Sequence, residues 1–160
     1  MLVLVTRDLA WDEWAAASAE IGLLFTSATL VLGMIWGKAI WGVYWTWDPR
    51  LTAVLVLWLL YLSYIALRAY VTEPMRRARY CAILGIVSFL DVPIIYFSVK
   101  LWRTLHPTQV VSTDDATFPT GMLITLLFGV FTFTILYFYL AKLRTQVLRL
   151  EDQSRRKVSA

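Results

Sequence analysis

Charge is scarce in this chain. Asp, Glu, Lys and Arg make up 16% of its 160 residues, against roughly a quarter in an ordinary soluble domain. Cysteine and histidine occur once each, as Cys81 and His106. A single cysteine inside an apolar run excludes a disulfide framework and a cysteine-based metal site. No nucleophile–base pair with recognisable spacing, no Gly-rich phosphate loop and no cluster of metal ligands occurs, so nothing points to covalent catalysis or to an enzyme. The N-terminus lacks a cationic region, a long apolar core and a small-residue cleavage site, so no signal peptide is expected. No internal repeat or low-complexity segment is present.

Apolar residues fill the space that charge leaves. The chain is 59% hydrophobic and 15% aromatic, with a mean hydropathy of +0.65. Apolar runs of about 20 residues read as membrane-spanning helices, and abundant Trp and Tyr fit two membrane–water interfaces. The expected fold is an all-α integral membrane protein, a four-span helix bundle forming one domain over residues 1–160. The spans run over about residues 15–36, 51–71, 80–102 and 121–141, followed by a basic tail at 142–160 that begins as a helical extension and frays towards Ser159. Residues 72–79 form a tight connection. Trp11, Trp14 and Ser18 share one helical stripe, which suggests an interfacial amphipathic helix leading into the first span. Met1–Val5 is an apolar remnant too short to span.

Cations near span ends set the orientation. Arg7, Arg68, Arg76, Arg77, Arg79 and the six cations of the tail lie on one side; Lys38, Arg50, Lys100 and Arg103 lie on the other. The first side is expected to be cytoplasmic. The net charge of +4 flanks apolar runs rather than forming a basic-aromatic surface, so nucleic acid is not an expected partner and the lipid bilayer is.

The stretch Trp36–Arg50, WGKAIWGVYWTWDPR, holds four of the eight tryptophans. Exactly two spans separate it from the loop carrying His106, so both face outward and are candidates for one site. A short interfacial helix over residues 40–47 would put Trp41, Tyr44, Trp45 and Asp48 on one face, with Trp47 pointing elsewhere as an anchor. Gly37 and Gly42 leave room for close approach and for turns. Two readings stand side by side: an aromatic belt that anchors span ends, or a platform for a flat, apolar, negatively charged ligand. In the second, Arg50, Lys38, Arg103 and Lys100 would receive carboxylates, and a neutral His106 imidazole would be an axial ligand to haem iron. Asp48 before Pro49 also reads as an ordinary helix N-cap. Asp91 within a span is costly unless protonated or paired. Pro93 frees the Phe89 carbonyl and suggests a kink that Asp91 would repair; the alternative is a polar contact supporting the site. The tyrosines within and beside the spans read as packing or interface residues.

Residues 41–52, WGVYWTWDPRLT, resemble the tryptophan-rich "WWD" signature of the cytochrome c assembly family. The Arg-Leu-Thr continuation, PIIYFSV at 93–99 and WRTLH at 102–106 are similar to its haem exporter protein C (CcmC) branch. The similarity covers essentially the whole chain. It implies a multi-pass protein of the bacterial inner membrane, with the WWD segment and the His106 loop periplasmic and the C-terminus cytoplasmic. Family members bind haem b transiently between two histidines over the tryptophan-rich segment. They pass it to a periplasmic haem chaperone (CcmE), with an ATP-binding cassette complex and its small membrane subunit as further partners. By this resemblance His106 matches the second axial histidine, and Trp41, Gly42, Tyr44, Trp45, Trp47 and Asp48 match the signature. Members of the branch have six spans, and the first axial histidine lies upstream of Met1 here; Met1–Val5 would be the remnant of that span. The expected function is haem delivery in cytochrome c maturation. The alternatives are a non-haem membrane subunit that anchors a partner complex, or an inactive truncated fragment.

Overall fold

The computed structural model describes residues 9–106 and 119–158. The Met1–Val5 remnant, Arg7, most of the loop after His106 and the fraying at Ser159 lie outside the described residues. Four helices follow in order: α1 Leu9–Trp41, α2 Pro49–Tyr70, α3 Pro74–Leu101 and α4 Thr120–Val158. All four are long and apolar enough to cross a membrane, and no strand occurs among the described residues.

Prolines set two of the helix starts. Pro49 and Pro74 each stand at the first helical position, where the missing N–H is no loss and the fixed φ favours the helix. The residue before each is extended: Asp48 has ψ 138° and Glu73 ψ 119°, as the clash with the following ring requires. The tight connection is therefore shorter than residues 72–79. It spans only Val71–Glu73, because α3 starts at Pro74 and absorbs Arg76, Arg77 and Arg79. A joint this short makes α2 and α3 antiparallel neighbours.

Two helices overshoot the bilayer. At 1.5 Å per residue α1 is about 50 Å long and α4 about 58 Å, against a hydrocarbon core of about 30 Å. The N-terminal part of α1 packs against the C-terminal half of α4. Glu13 accepts from Arg149 Nε at 2.7 Å, Glu20 takes a two-pronged contact from Arg144 at 2.5 and 3.0 Å, and Ser18 bonds the Tyr137 hydroxyl at 2.8 Å. Trp11 is 44% exposed, whereas Asp12 is 2% exposed and turns inward, as do Ala16 and Ala19. The reason is charge pairing: Arg68 Nη1 of α2 sits 2.7 Å from Asp12 Oδ2, and Arg77 Nη2 of α3 sits 4.0 Å away. Ala16, Ala19, Tyr64 and Cys81 form the core beside this cluster, with Leu84 and Leu148 packed on it.

Helix α1 is the hub. It packs against all three others, α2 and α3 pack together, and α4 meets α1 alone. Most large apolar side chains in mid-span face outward, Leu32, Phe89 and Phe128 among them. Lipid is the solvent there, so such exposure costs nothing. Helix α3 runs unbroken through Pro93. Asp91 is buried, and its Oδ2 has no hydrogen-bond partner among the described residues, so that oxygen makes neither the expected repair nor a polar contact to the site.

Candidate functional site

At the end of the bundle opposite the ion-pair cluster, α1 stops at Trp41 because Gly42 takes a left-handed conformation, φ +78°. Its N–H donates to the Lys38 carbonyl at 3.2 Å, which is the single-bond form of helix ending that glycine permits at no steric cost. Lys38 Nζ reaches forward to the Gly42 carbonyl at 2.8 Å and lies 5.3 Å from the Tyr44 ring centre. Residues 42–48 carry no helix, and Pro49 holds Asp48 extended. The short helix over 40–47 is not formed, and Trp41, Tyr44, Trp45 and Asp48 do not share a helical face.

The aromatic residues divide instead into groups. Trp41 closes over Gly37, where an added Cβ would meet its ring at 3.3 Å, and receives Trp36 edge-on at 5.3 Å. Trp45 and Trp47 pair edge-to-face at 5.6 Å. Trp47 is 76% exposed and Tyr44 61%, so both point away from the protein.

Helix α3 ends at Leu101, and the chain bends through Trp102–His106 back towards α1 and α2. His106 lands against Trp41, with ring centres 4.9 Å apart at 74°. The two segments placed on one side by span counting therefore meet. Asp48, 5% exposed, faces the same imidazole, with His106 Nδ1 3.3 Å from both carboxylate oxygens. Thr104 joins the two. Its hydroxyl donates to the Asp48 carboxylate, and its Oγ1 accepts from the His106 backbone N–H at 3.1 Å. A carboxylate only accepts, so the arrangement favours the tautomer with the proton on Nδ1 and the lone pair on Nε2. Nε2 has no hydrogen bond among the described residues. An outer carboxylate that fixes ring and tautomer is the usual support of a metal-ligating histidine.

The side-chain N-cap expected of Asp48 is absent. Asp48 stands at the cap position and its carbonyl accepts the Thr52 N–H at 2.9 Å, but its carboxylate makes no cap bond. The carboxylate is turned to Thr104 and His106 instead. The sequence gives no local sign of the role of Thr104, since nothing marks a contact between residues 56 apart.

A cavity of about 410 Å³ opens beside this cluster, lined by Thr46, Trp47, Asp48, Arg103, Thr104 and Leu105. The buried Thr46 hydroxyl has no hydrogen-bond partner among the described residues. Arg103 is exposed, and neither it nor half-buried Arg50 makes an ion pair among the described residues. Lys100 lies 5.1 Å from the Tyr96 ring centre. Of the four expected carboxylate receivers, the two arginines are uncommitted and the two lysines are engaged locally.

The sequence profile of the CcmC family, Heme exporter protein C, matches residues 1–159. Heme exporter protein C of Bradyrhizobium diazoefficiens is 41% identical over 160 residues, covering 98% of this chain and 61% of the relative. That of Haemophilus influenzae is 39% identical over 88% of this chain and 57% of its own. A putative cytochrome c biosynthesis ccmC-like mitochondrial protein of Marchantia polymorpha is 35% identical over 92% of this chain and 63% of its own. The chain thus spans about three-fifths of the length of these relatives. With a family-wide match and four membrane-length helices, the chain is a multi-pass membrane protein that belongs to the Heme exporter protein C family.

Proposed function

We propose that this chain holds haem b at the Trp41–His106 end of the bundle and presents it there for delivery to cytochrome c maturation. The observation that carries the reading is the contact of the buried Asp48 carboxylate with His106 Nδ1, which leaves Nε2 free to donate to a metal. The residues fit the group. Haem supplies an iron that accepts a nitrogen lone pair, together with a flat apolar ring bearing two carboxylates. His106 would hold the iron through Nε2, and Trp41 packs against its imidazole. Arg103 and Arg50 receive carboxylates, aided by the unpartnered Thr46 hydroxyl beside the cavity. Gly42 provides the turn that brings Trp41 into place. Trp47 and Tyr44 present exposed aromatic surface to the haem ring or to a docking partner, with half-buried Trp45 packed on Trp47.

The protein acts by coordination and relay rather than as an enzyme. It lies as one domain in the bacterial inner membrane, with the His106 end periplasmic and the α4 tail cytoplasmic, in keeping with the bias of cations to the tail side. Its partners are the periplasmic haem chaperone CcmE and the ATP-binding cassette complex of the maturation system with its small membrane subunit. A second reading, a haem-independent anchor for a partner complex, draws on the exposure of Trp47 and Tyr44.

Absorption spectra of the purified protein separate the two. The haem reading expects a Soret band in the wild type and loss of most of it in His106→Ala, with helical content unchanged. A His106→Ala protein that retains wild-type haem content sinks the ligand role. Partner co-purification that depends on Trp47 with no porphyrin in any preparation favours the anchor.

A further inference from the structure

We propose that Thr104 is a positioning residue that holds the Asp48 carboxylate off the α2 N-terminus and on His106, and so fixes the imidazole tautomer that leaves Nε2 free. The inference rests on the reading of His106 as an iron ligand for its consequence, but not for its geometry.

Asp48 has two possible occupations. It precedes Pro49 at the N-cap of α2, and an aspartate there ordinarily accepts the N–H of the second or third helical residue, here Arg50 or Leu51. Yet no such bond is made. A favoured cap residue that leaves its cap unmade needs something stronger elsewhere. Thr104 supplies it. Its hydroxyl contacts both Asp48 oxygens, while its own Oγ1 is pinned by the His106 backbone N–H at 3.1 Å. The hydroxyl is thus anchored on one side and spends its single proton on the carboxylate. A hydroxyl bond to an ionised carboxylate is charge-assisted and stronger than a neutral one. With Asp48 so held, the His106 Nδ1–H finds both carboxylate oxygens at 3.3 Å. His106 Nδ1 is also 3.3 Å from Thr104 Oγ1, but that hydroxyl proton already points to Asp48, so Nδ1 is not offered a competing donor. Without the hydroxyl, Asp48 is free to turn to the helix end, and the imidazole loses the acceptor that selects its tautomer.

Because His106 is the only histidine of this 160-residue chain, [15N]histidine labelling of that chain, purified without a histidine tag, gives one imidazole in the NMR spectrum. With the ring neutral, the expected wild-type signal is that of the Nδ1–H tautomer. In Thr104→Val the Nδ1–H fraction falls towards that of a free imidazole. In Thr104→Ser, which keeps the hydroxyl, it stays near the wild type. Hydrogen exchange supplies a second reading: in Thr104→Val the amides of Arg50 and Leu51 become several-fold better protected as Asp48 caps α2, and in Thr104→Ser they do not. Thr104→Ala removes the same hydroxyl without a bulky replacement and serves if the valine variant does not fold. A folded Thr104→Val or Thr104→Ala protein with an unchanged tautomer and unchanged exchange overturns the proposal. If the tautomer shifts as expected but the wild type takes up no haem, the positioning role stands and the haem reading fails.

Discussion

Gly42 carries the turn on which the site depends, and it does so through one dihedral angle. At φ +78° a side chain meets the following carbonyl, at a cost of about 1–2 kcal/mol. Gly42→Ala is expected to destabilise the protein by about that amount and to let α1 run on past Trp41. The Trp41–His106 contact then loosens. A lowered thermal midpoint together with reduced haem content would be the sign, while a variant with wild-type values on both would show that the turn is not needed. His106 and Trp41 could be picked from the sequence because a lone histidine and a tryptophan cluster stand out by type. The direction of the Asp48 carboxylate could not. Local rules favour the cap, and only the tertiary approach of Thr104, 56 residues away, outweighs them.

The helices themselves are plain in the apolar runs: the spans expected over 15–36 and 121–141 lie within α1 and α4, and those over 51–71 and 80–102 overrun the ends of α2 and α3 by one residue each. Their ends were less plain, because apolarity marks the membrane and not the helix: α1 and α4 continue into polar sequence wherever a partner helix pays the cost of order. The same distinction explains the missing helix at 40–47, where aromatic spacing suits a helix but Gly42 and Pro49 forbid one from either side. Between elements, α1 comes close to α2 at Gly22. A Cβ added there would come within 2.8 Å of the Tyr61 ring. Gly22→Ala is expected to cost about 1–3 kcal/mol through overpacking, measured as a lower midpoint in thermal unfolding in detergent. Combining it with Tyr61→Leu should recover most of the loss, and an alanine variant as stable as the wild type would mean that the two helices are not so closely set.

Across the whole molecule, stability and function sit at opposite ends. The Asp12–Arg68–Arg77 cluster joins α1, α2 and α3 at one end, and the same three helices converge on His106, Asp48 and Trp41 at the other. Helix α4 contributes to the first end alone among the described residues. Arg68→Ala would leave Asp12 buried with only the 4.0 Å contact to Arg77, and breaking a buried pair in this way costs about 3–5 kcal/mol. Replacing both partners with apolar residues, Asp12→Leu with Arg68→Met, is expected to restore much of it. Equal stability of the single and double variants would rule out the ion pair as the source. The proposed haem site lies at the far end, and the proposal turns there on one nitrogen. The direct measurement is electron–nuclear double resonance on ferric haem bound to protein labelled only at [15N]histidine. The expected result, for the 160-residue chain in which His106 is the one histidine, is a 15N coupling of the size a ligating imidazole gives; haem bound with no such coupling would contradict the assignment of His106 Nε2 to the iron.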